Sequence, residues 1–379
     1  MTIWFAMLIP FCFAGGLLVG FRHRIAWWEI LVPFAVSALT IFAAKAVAVY
    51  SLVYDTEYWT GYAVQSEYYE DWTEHCETVS VDSEGNLKTD TFYVYHPAYW
   101  TVEDSNGIQV SVSSERFESL SREWGNKQYV SVFRPTLAWG RGDKYVTRWN
   151  GTSSTGKVVT TTHPYSNKIQ AARNVFDFKS VTPEQRTRYA LHDYPNIDDP
   201  LTCPTVLGQG MQETLQKRFC WTNAILGKSR EIRLWVLLFQ DQPVEAAVLQ
   251  ESYWLRGNKN ELIICVGLHG DSVQWCRTFS WADRDRVKTM HEEIEVAALQ
   301  ADFTWDRFHD FIEATVQKYW VRKNFHDFDY IGLTVPVWGQ ILAYLLTIGC
   351  NIAVSIWAVT NDADLLDQEF NGAFRFNRC

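Results

Sequence analysis

The sequence lacks the short motifs that mark most nucleotide-dependent and hydrolytic enzymes. It contains no Walker loop, no G-x-S-x-G nucleophile elbow, no H-E-x-x-H metal motif and no dinucleotide fingerprint. None of its eight cysteines stands in a C-x-x-C pair, and none has the spacing of a zinc site. These absences leave the sequence without a predicted catalytic residue.

Positive charge is scarce in the central part of the chain. The net charge is −10. Residues 1–54 carry three basic residues against one acidic residue, and residues 331–379 carry two against four, so the two ends cancel and the negative charge lies between them. A negative body repels a phosphate backbone, so we expect no nucleic-acid partner.

Long apolar runs, in contrast, are present at both ends. They are Ile3–Phe21, Trp27–Tyr50 and Ile331–Thr360. A bilayer core about 30 Å thick is crossed by about 20 apolar residues in a helix. The first run has no basic residues before it and is followed directly by a second run, which favours a span over a cleaved signal peptide. We therefore predict an α+β membrane protein with three transmembrane helices, an N-terminal hairpin over residues 1–54 and a C-terminal span over 331–360.

Basic and aromatic residues flank the first two runs, where headgroups are expected. A lysine that interrupts the second run can reach the interface through its aliphatic stem. The predicted interface residues are Arg22, Arg24, Lys45, Trp27 and Trp28. The lipid bilayer is thus the first predicted partner.

The basic turn between the first two runs predicts the orientation of the chain. By the positive-inside rule, Arg22 and Arg24 place this turn in the cytoplasm. The body then lies outside the cytoplasmic membrane, in the periplasm of a bacterium, and residues 361–379 form a short cytoplasmic tail. Arg322 and Lys323, close to the third span, favour the opposite orientation to a smaller extent.

Small and polar residues in the spans predict how the helices pack. Gly16 and Gly20 form a G-x-x-x-G pair that can let two helices approach closely. Gln340 and Asn351 are expected to hydrogen-bond to neighbouring spans. Since no acid or base lies near the middle of a span, a role as a subunit of a transport complex is the least favoured alternative.

The residues between the spans divide by pattern into two halves. Residues 55–165 are rich in Thr, Val, Tyr and Trp with frequent turn signals, which predicts a β-rich domain. Residues 166–208 have weak patterns and predict an irregular linker. Residues 209–330 predict the order helix, strand, helix, strand, strand, helix, helix, which is an α/β unit with a small mixed sheet.

The body contains five cysteines, and an extracytoplasmic location would allow disulfides. With Gly270-Asp271 as a two-residue turn, Cys265 faces Cys276 across a hairpin, at a hydrogen-bonded position where the Cα atoms lie about 5.5 Å apart. This separation permits a disulfide. The side chains are closer at the other kind of cross-strand position, so free thiols are the alternative.

Two groups of polar residues are candidates for metal chemistry. Asp283, Asp285 and Glu292 follow the last predicted strand and could bind a divalent cation such as Ca²⁺. Basic residues alternate with these acids and favour a charged helix surface instead. His309-Asp310 and His326-Asp327 could form a metal or proton site, or a solvated helix surface.

Two resemblances extend these predictions. The segments YWTGYAVQSEYYEDW, GNKNELIICVGL and VQWCRTFSW, together with the terminal spans, resemble a group of uncharacterised membrane proteins of tailed phages and bacteria. Residues 209–320 resemble a TPM domain, which is commonly extracytoplasmic and membrane-anchored. That likeness rests on the order of elements and on the turn Gly257–Asn260 before a strand, and it implies calcium binding or phosphatase activity. Thr278–Trp281 stands where that family has a Gly-rich, acidic ending.

The sequence therefore predicts a membrane-anchored envelope protein whose body binds a protein partner or a second copy, without catalysis and without a cofactor. The alternative is a TPM-like metal-binding or metal-dependent phosphohydrolase domain.

Overall fold

The computed structural model describes residues 2–21, 29–81, 87–122, 127–131, 145–150, 157–172, 178–282 and 284–360. The fold is α+β, and it divides into two units. The helical unit comprises Met1–Asp55, Tyr165–Val175 and Phe328–Cys379. The body comprises Thr56–Pro164 and Phe176–Asp327.

The described helices and strands are numbered in chain order. The helices are α1 (Ile9–Phe21), α2 (Val32–Val53), α3 (Ser114–Ser121), α4 (Lys168–Ala171), α5 (Pro183–Arg188), α6 (Glu213–Arg230), α7 (Glu245–Tyr253), α8 (Asp285–Ala298), α9 (Trp305–Tyr319) and α10 (Val337–Thr360). The strands are β1 (Tyr54–Tyr69), β2 (Trp72–Val81), β3 (Leu87–His96), β4 (Tyr99–Asp104), β5 (Gln109–Val112), β6 (Lys127–Ser131), β7 (Tyr145–Asn150), β8 (Val158–Ser166), β9 (Val206–Leu207), β10 (Arg233–Gln240), β11 (Glu261–His269) and β12 (Ser272–Ser280).

Three helical segments of the helical unit are long and apolar enough to cross a membrane. They are Ile3–Phe21, Glu29–Val53 and Val337–Thr360. The third begins at Val337 rather than at Ile331. Pro336 explains this start, because a proline disfavours helical backbone at the residue before it and is tolerated where a helix begins.

Helices α2 and α10 pack through small and polar residues, although not through the predicted glycine pair. A Cβ atom added to Gly339 would lie 2.4 Å from the Cβ of Ala48, so α10 and α2 touch where a glycine is required. Asn351 Nδ2 donates to Ser37 Oγ over 2.8 Å, which joins the same two helices. The predicted bond from Asn351 to a neighbouring span is thus present.

The predicted packing role of Gly16 and Gly20 within the chain is wrong. Both are exposed, and a Cβ added to either would meet no atom within 4 Å. Gln340 Nε2 donates to the Val335 carbonyl, which lies just before its own helix.

The first half of the body is built on the long strand β1. A six-stranded sheet has the order β5-β4-β1-β7-β6, and β8 also pairs with β1. Its small apolar core consists of Ala63, Val102, Leu120 and Val159. Strands β2 and β3 pair only with each other among the described strands, over ten antiparallel residue pairs.

The second half of the body is a four-stranded sheet covered on both faces. The order is β12-β11-β10-β9, with β9, β10 and β11 parallel and β12 antiparallel. Because side chains alternate along a strand, Leu234 and Val236 pack into the core that includes α6, α8 and α9, whereas Trp235 and Leu237 face α7. Continuous burial on both faces explains the uninterrupted apolar runs of β10 and β11.

The Asn-rich turn before β11 joins the six-stranded and the four-stranded sheets of the body. Asn258 Nδ2 donates to the Thr56 carbonyl, and Asn260 Nδ2 donates to the Tyr58 carbonyl. Between them, Lys259 pairs with Glu57. Three consecutive residues of the turn therefore contact three consecutive residues near the start of β1, which gives this turn a structural role that requires no ligand.

Candidate functional site

A buried arginine organises the most unusual polar site in the described part of the body. Arg233, the first residue of β10, is 0 % exposed. It donates from Nη1 to Thr60 Oγ1 and from Nη2 to the Pro204 carbonyl at 2.6 Å. Its guanidinium also lies over the ring of Trp235, 4.5 Å from the centroid. A buried charge is costly unless it is paired, so the remaining neighbours of Arg233 must compensate its charge.

Two cysteines complete this site. Cys203, in the loop before β9, places its Sγ 3.4 Å from Arg233 Nη1 and 3.4 Å from Thr205 Oγ1. The second cysteine is Cys220, on α6. Cys203 Sγ also lies 3.9 Å from the Cys220 carbonyl oxygen. We call Cys203, Cys220, Arg233 and Thr205 the thiol site.

The surroundings of the thiol site shift the pKa values of the two thiols in opposite directions. Burial acts to raise the pKa of Cys203, but the neighbouring Cys220 side chain and the charge of Arg233 outweigh it and lower this pKa to about 5. The pKa of Cys220 is raised, first by its bond to Cys203 and then by burial. Cys203 is therefore the thiolate of the pair and Cys220 the thiol.

A second buried cluster lies around Glu57. Its Oε1 is 3.3 Å from Lys259 Nζ, 3.1 Å from Arg322 Nη2 and 2.9 Å from Trp59 Nε1. Burial lowers the pKa of Lys259 to about 8, although the negative charge of Glu57 opposes this shift. Arg322 also pairs at 2.7 Å with Glu231, whose carboxylate is exposed. The cluster ties the first residues of β1 to the α/β half of the body.

The predicted His309-Asp310 pair lies in a polar cluster between α6 and α9. His309 Nε2 is 2.9 Å from Thr222 Oγ1, and His309 Nδ1 is 3.0 Å from Asp310 Oδ1. Arg218 pairs with Asp310 at 2.7 Å, and the hydrogen bond to His309 together with Arg218 lowers the pKa of Asp310. A surface pocket of about 480 Å³ lies beside these residues.

Thr222, His309 and Asp310 have the residue types of a nucleophile triad, but their contacts indicate that they link α6 to α9. Thr222 is only 2 % exposed, and its hydroxyl also lies 3.2 Å from Glu313 Oε2. A hydroxyl held between two partners and shielded from solvent is poorly placed to attack a substrate. His326 lies on the short 3-10 helix Phe325–Phe328, outside this cluster.

The structure does not assemble the predicted cation site. Asp283 lies outside the described residues. Asp285 and Glu292 are both on α8, both exposed, and Asp285 lies 3.8 Å from Lys288. Among the described residues, no three His, Cys, Asp or Glu side chains are grouped so that they could hold a metal ion.

The predicted pairing of Cys265 with Cys276 is wrong. Cys265 lies opposite Arg277, and Cys276 lies opposite Val266. The register shifts between Gly267 and Leu268, because Gly267 pairs with Trp275 instead of its predicted neighbour. The shift turns the two cysteines to opposite faces of the sheet, and both thiols are free.

Of the predicted interface residues, Lys45 is the one that the structure describes. Its ammonium lies 5.4 Å from the centroid of the Trp4 ring, a cation–π contact within the helical unit. Arg22, Arg24, Trp27 and Trp28 lie outside the described residues.

The hairpin of β2 and β3 presents a face that the sequence did not single out. Its odd-numbered residues from Thr73 to Val79 and from Thr89 to Tyr95 point to one side, and all of these are exposed. This hairpin face consists of Thr73, His75, Glu77, Val79, Thr89, Thr91, Tyr93 and Tyr95. Tyr93 is 71 % exposed and Tyr95 is 62 % exposed. On the opposite side Glu74 and Cys76 are buried, whereas Thr78, Ser80, Lys88, Asp90 and Phe92 are exposed, so that side is covered only in part.

Comparison with known proteins adds no functional assignment. No protein-family model matches the chain, and no curated protein is similar to it.

The thiol site was also missed by sequence reasoning. Cys203 lies in a segment predicted as irregular, and Cys220 lies in the middle of a helix, so no spacing rule relates them. Arg233 begins a strand that is otherwise apolar. A charged residue at the start of a buried strand is the one signal in the sequence that points to this site.

Proposed function

We propose that this protein is a membrane-anchored binding protein whose hairpin face contacts another protein. The observation that carries the proposal is the hairpin itself: two paired strands with large aromatic side chains exposed on one face. A two-stranded hairpin is marginally stable alone in water, and exposed aromatic residues are enriched where proteins bind one another.

The composition of the hairpin face supports a protein as the partner. Seven of its eight residues are uncharged at neutral pH when His75 is neutral, which does not suit a strongly charged ligand such as a nucleic acid. The outer edges of β2 and β3 pair with no other described strand, and such edges can accept an added strand.

The helical unit supports membrane attachment. Three segments of sufficient length and apolarity are brought together there, and their outward residues are apolar, among them Phe11, Leu39 and Leu345. We propose a multi-pass protein of the cytoplasmic membrane with the body outside the cytoplasm. Protease added to intact spheroplasts should cleave the body; cleavage only after lysis would contradict this orientation.

Site-specific photo-crosslinking in cells tests the binding role. A photoreactive phenylalanine analogue replaces Tyr93 in the full-length protein, and the matched control replaces Val296, an exposed apolar residue on α8. We expect a discrete crosslinked band from position 93 and none from position 296. Mass spectrometry of the band distinguishes a second copy from a different protein. Equal patterns at the two positions would contradict the proposal.

The TPM-like alternative retains one supporting observation. The elements from α6 to α9 follow the order helix, strand, helix, strand, strand, helix, helix. Calorimetric titration of the full-length protein with Ca²⁺, together with a phosphatase assay, tests it. Saturable binding would favour the alternative, whereas absence of both binding and turnover would eliminate it.

A further inference from the structure

We infer that Cys203 and Cys220 form a redox-active dithiol that closes to a disulfide by exchange with a low-molecular-weight or protein disulfide. This role is independent of the proposed binding function. It gives the body a chemical response that neither the spans nor the hairpin face supplies.

The geometry of the thiol site carries this inference. Cys203 Sγ lies 3.9 Å from the carbonyl oxygen of Cys220, so the two cysteines are in contact although they come from different elements, the loop before β9 and helix α6. Both are partly exposed, whereas Cys76, Cys265 and Cys276 are buried. A disulfide reagent can therefore reach this pair more readily than the other described cysteines of the body.

Arg233 explains why one thiol of the pair attacks. Its described hydrogen bonds go to Thr60, to the Pro204 carbonyl and to Cys203. Glu261, which pairs with it in register on β11, interacts with its charge but makes no described hydrogen bond to it. The Nε of Arg233 has no hydrogen-bond partner among the described residues. A thiolate on Cys203 supplies a negative charge in direct contact with the guanidinium, and a thiolate is the nucleophile in disulfide exchange.

The exchange proceeds in two balanced steps. The Cys203 thiolate attacks one sulfur of the incoming disulfide, forming a mixed disulfide and releasing the other half as a thiolate. Cys220 then loses its proton to solvent, and its thiolate attacks the Sγ of Cys203. This step forms the Cys203–Cys220 disulfide and releases the second thiolate. Two protein thiols are oxidised and one external disulfide is reduced to two thiols, with no further oxidant.

The position of the pair links this chemistry to the fold. Cys220 lies one helical turn before Asn223, which donates to Thr205 Oγ1 and to the Leu234 carbonyl. Thr205 in turn lies beside Cys203. Closing the disulfide would fix the loop before β9 onto α6, at the edge of the four-stranded sheet. Because Arg233 favours the reduced thiolate, the pair should be reducible rather than permanently closed.

Redox titration of the full-length protein in detergent tests the inference. The protein is equilibrated with reduced and oxidised glutathione at varied ratios, quenched with acid, alkylated and analysed by non-reducing peptide mass spectrometry. We expect a Cys203–Cys220 linked peptide that increases with oxidised glutathione and disappears with dithiothreitol. Cys265 and Cys276 should stay reduced, and they should be alkylated only after the protein is unfolded.

Single-cysteine variants separate the roles of the two thiols. In Cys220→Ser, the first step should stop at a stable Cys203–glutathione mixed disulfide. In Cys203→Ser, Cys220 should form this adduct much more slowly. Circular dichroism of each variant confirms that the body is folded.

Three results would overturn the inference. The first is absence of the linked peptide at every glutathione ratio in folded protein. The second is a mixed disulfide on Cys203 that Cys220 does not resolve in the wild-type chain. The third is equal adduct formation by the two single variants.

Discussion

Two β-hairpins of the body, β11–β12 and β2–β3, differ in almost every respect except strand pairing. In the β11–β12 hairpin, eight of the nine residues of β11 are buried. In the β2–β3 hairpin, β3 has no buried residue. Both are antiparallel and of similar length, so pairing alone does not decide burial.

The neighbours of each hairpin account for the difference. β11 has the parallel strand β10 on its other edge and helices on both faces of its sheet. It is also fixed at its start by Asn258, Lys259 and Asn260. The β2–β3 hairpin has no such strand among the described residues. The β11–β12 hairpin is therefore part of the core, whereas the β2–β3 hairpin is exposed, as our proposed binding role requires.

The largest expected effect comes from the anchor of the buried hairpin. Glu57→Gln should destabilise the protein by about 3–5 kcal/mol, because Lys259 and Arg322 lose the carboxylate between them in a buried site. Denaturant unfolding followed by circular dichroism measures this. Glu231→Gln is the matched control, since its exposed carboxylate pairs with the same Arg322 and should contribute less than about 1 kcal/mol. Equal losses of stability in the two variants would contradict the role of Glu57 as the anchor.

The next effect compares the two hairpins directly. Ile264→Ala in β11 should cost about 2–5 kcal/mol, because it removes a fully buried side chain and leaves a cavity. Tyr93→Ala in β3 should cost less than about 1 kcal/mol, since it loses only exposed area and a ring contact with His75. Thermal unfolding of both variants checks the order. A reversed order would show that the hairpin face belongs to the core.

The pH dependence of stability gives a smaller effect from the same anchor. The pKa of Lys259 is about 8 in the folded protein, below the ordinary lysine value, so the unfolded chain binds more protons between these values. The contribution of this lysine to stability should therefore rise as pH increases from about 8 to about 10.5. In Lys259→Met, Glu57 still pairs with Arg322, and the rise of stability with pH should be absent. An unchanged pH profile in the variant would contradict the assignment.

The sequence predicted the α/β half of the body closely because its signals are local. The apolar runs at Arg233–Gln240 and Glu261–His269 are strands, and the amphipathic segments around them are helices, as expected. The two-residue strand β9 was not predicted. A two-residue strand has no periodicity from which it could be recognised.

Contacts between distant segments could not be predicted in the same way. The cysteine pairing at residues 265 and 276 failed on a one-residue register shift, which reverses the face of every side chain beyond it. The pairs Lys259–Glu57 and Cys203–Cys220 depend on how the sheets and α6 pack together. No spacing in one sequence encodes these contacts.

The central claim is that the hairpin face is covered in the cell, and cysteine labelling tests it most directly. Tyr93→Cys and the control Val296→Cys are labelled with a maleimide in native membranes and in detergent-purified protein, and the labelled peptides are quantified separately from those of the natural cysteines. The account predicts that position 93 reacts more slowly in membranes than after purification, whereas position 296 reacts equally in both. Equal rates at position 93 in the two preparations would contradict it.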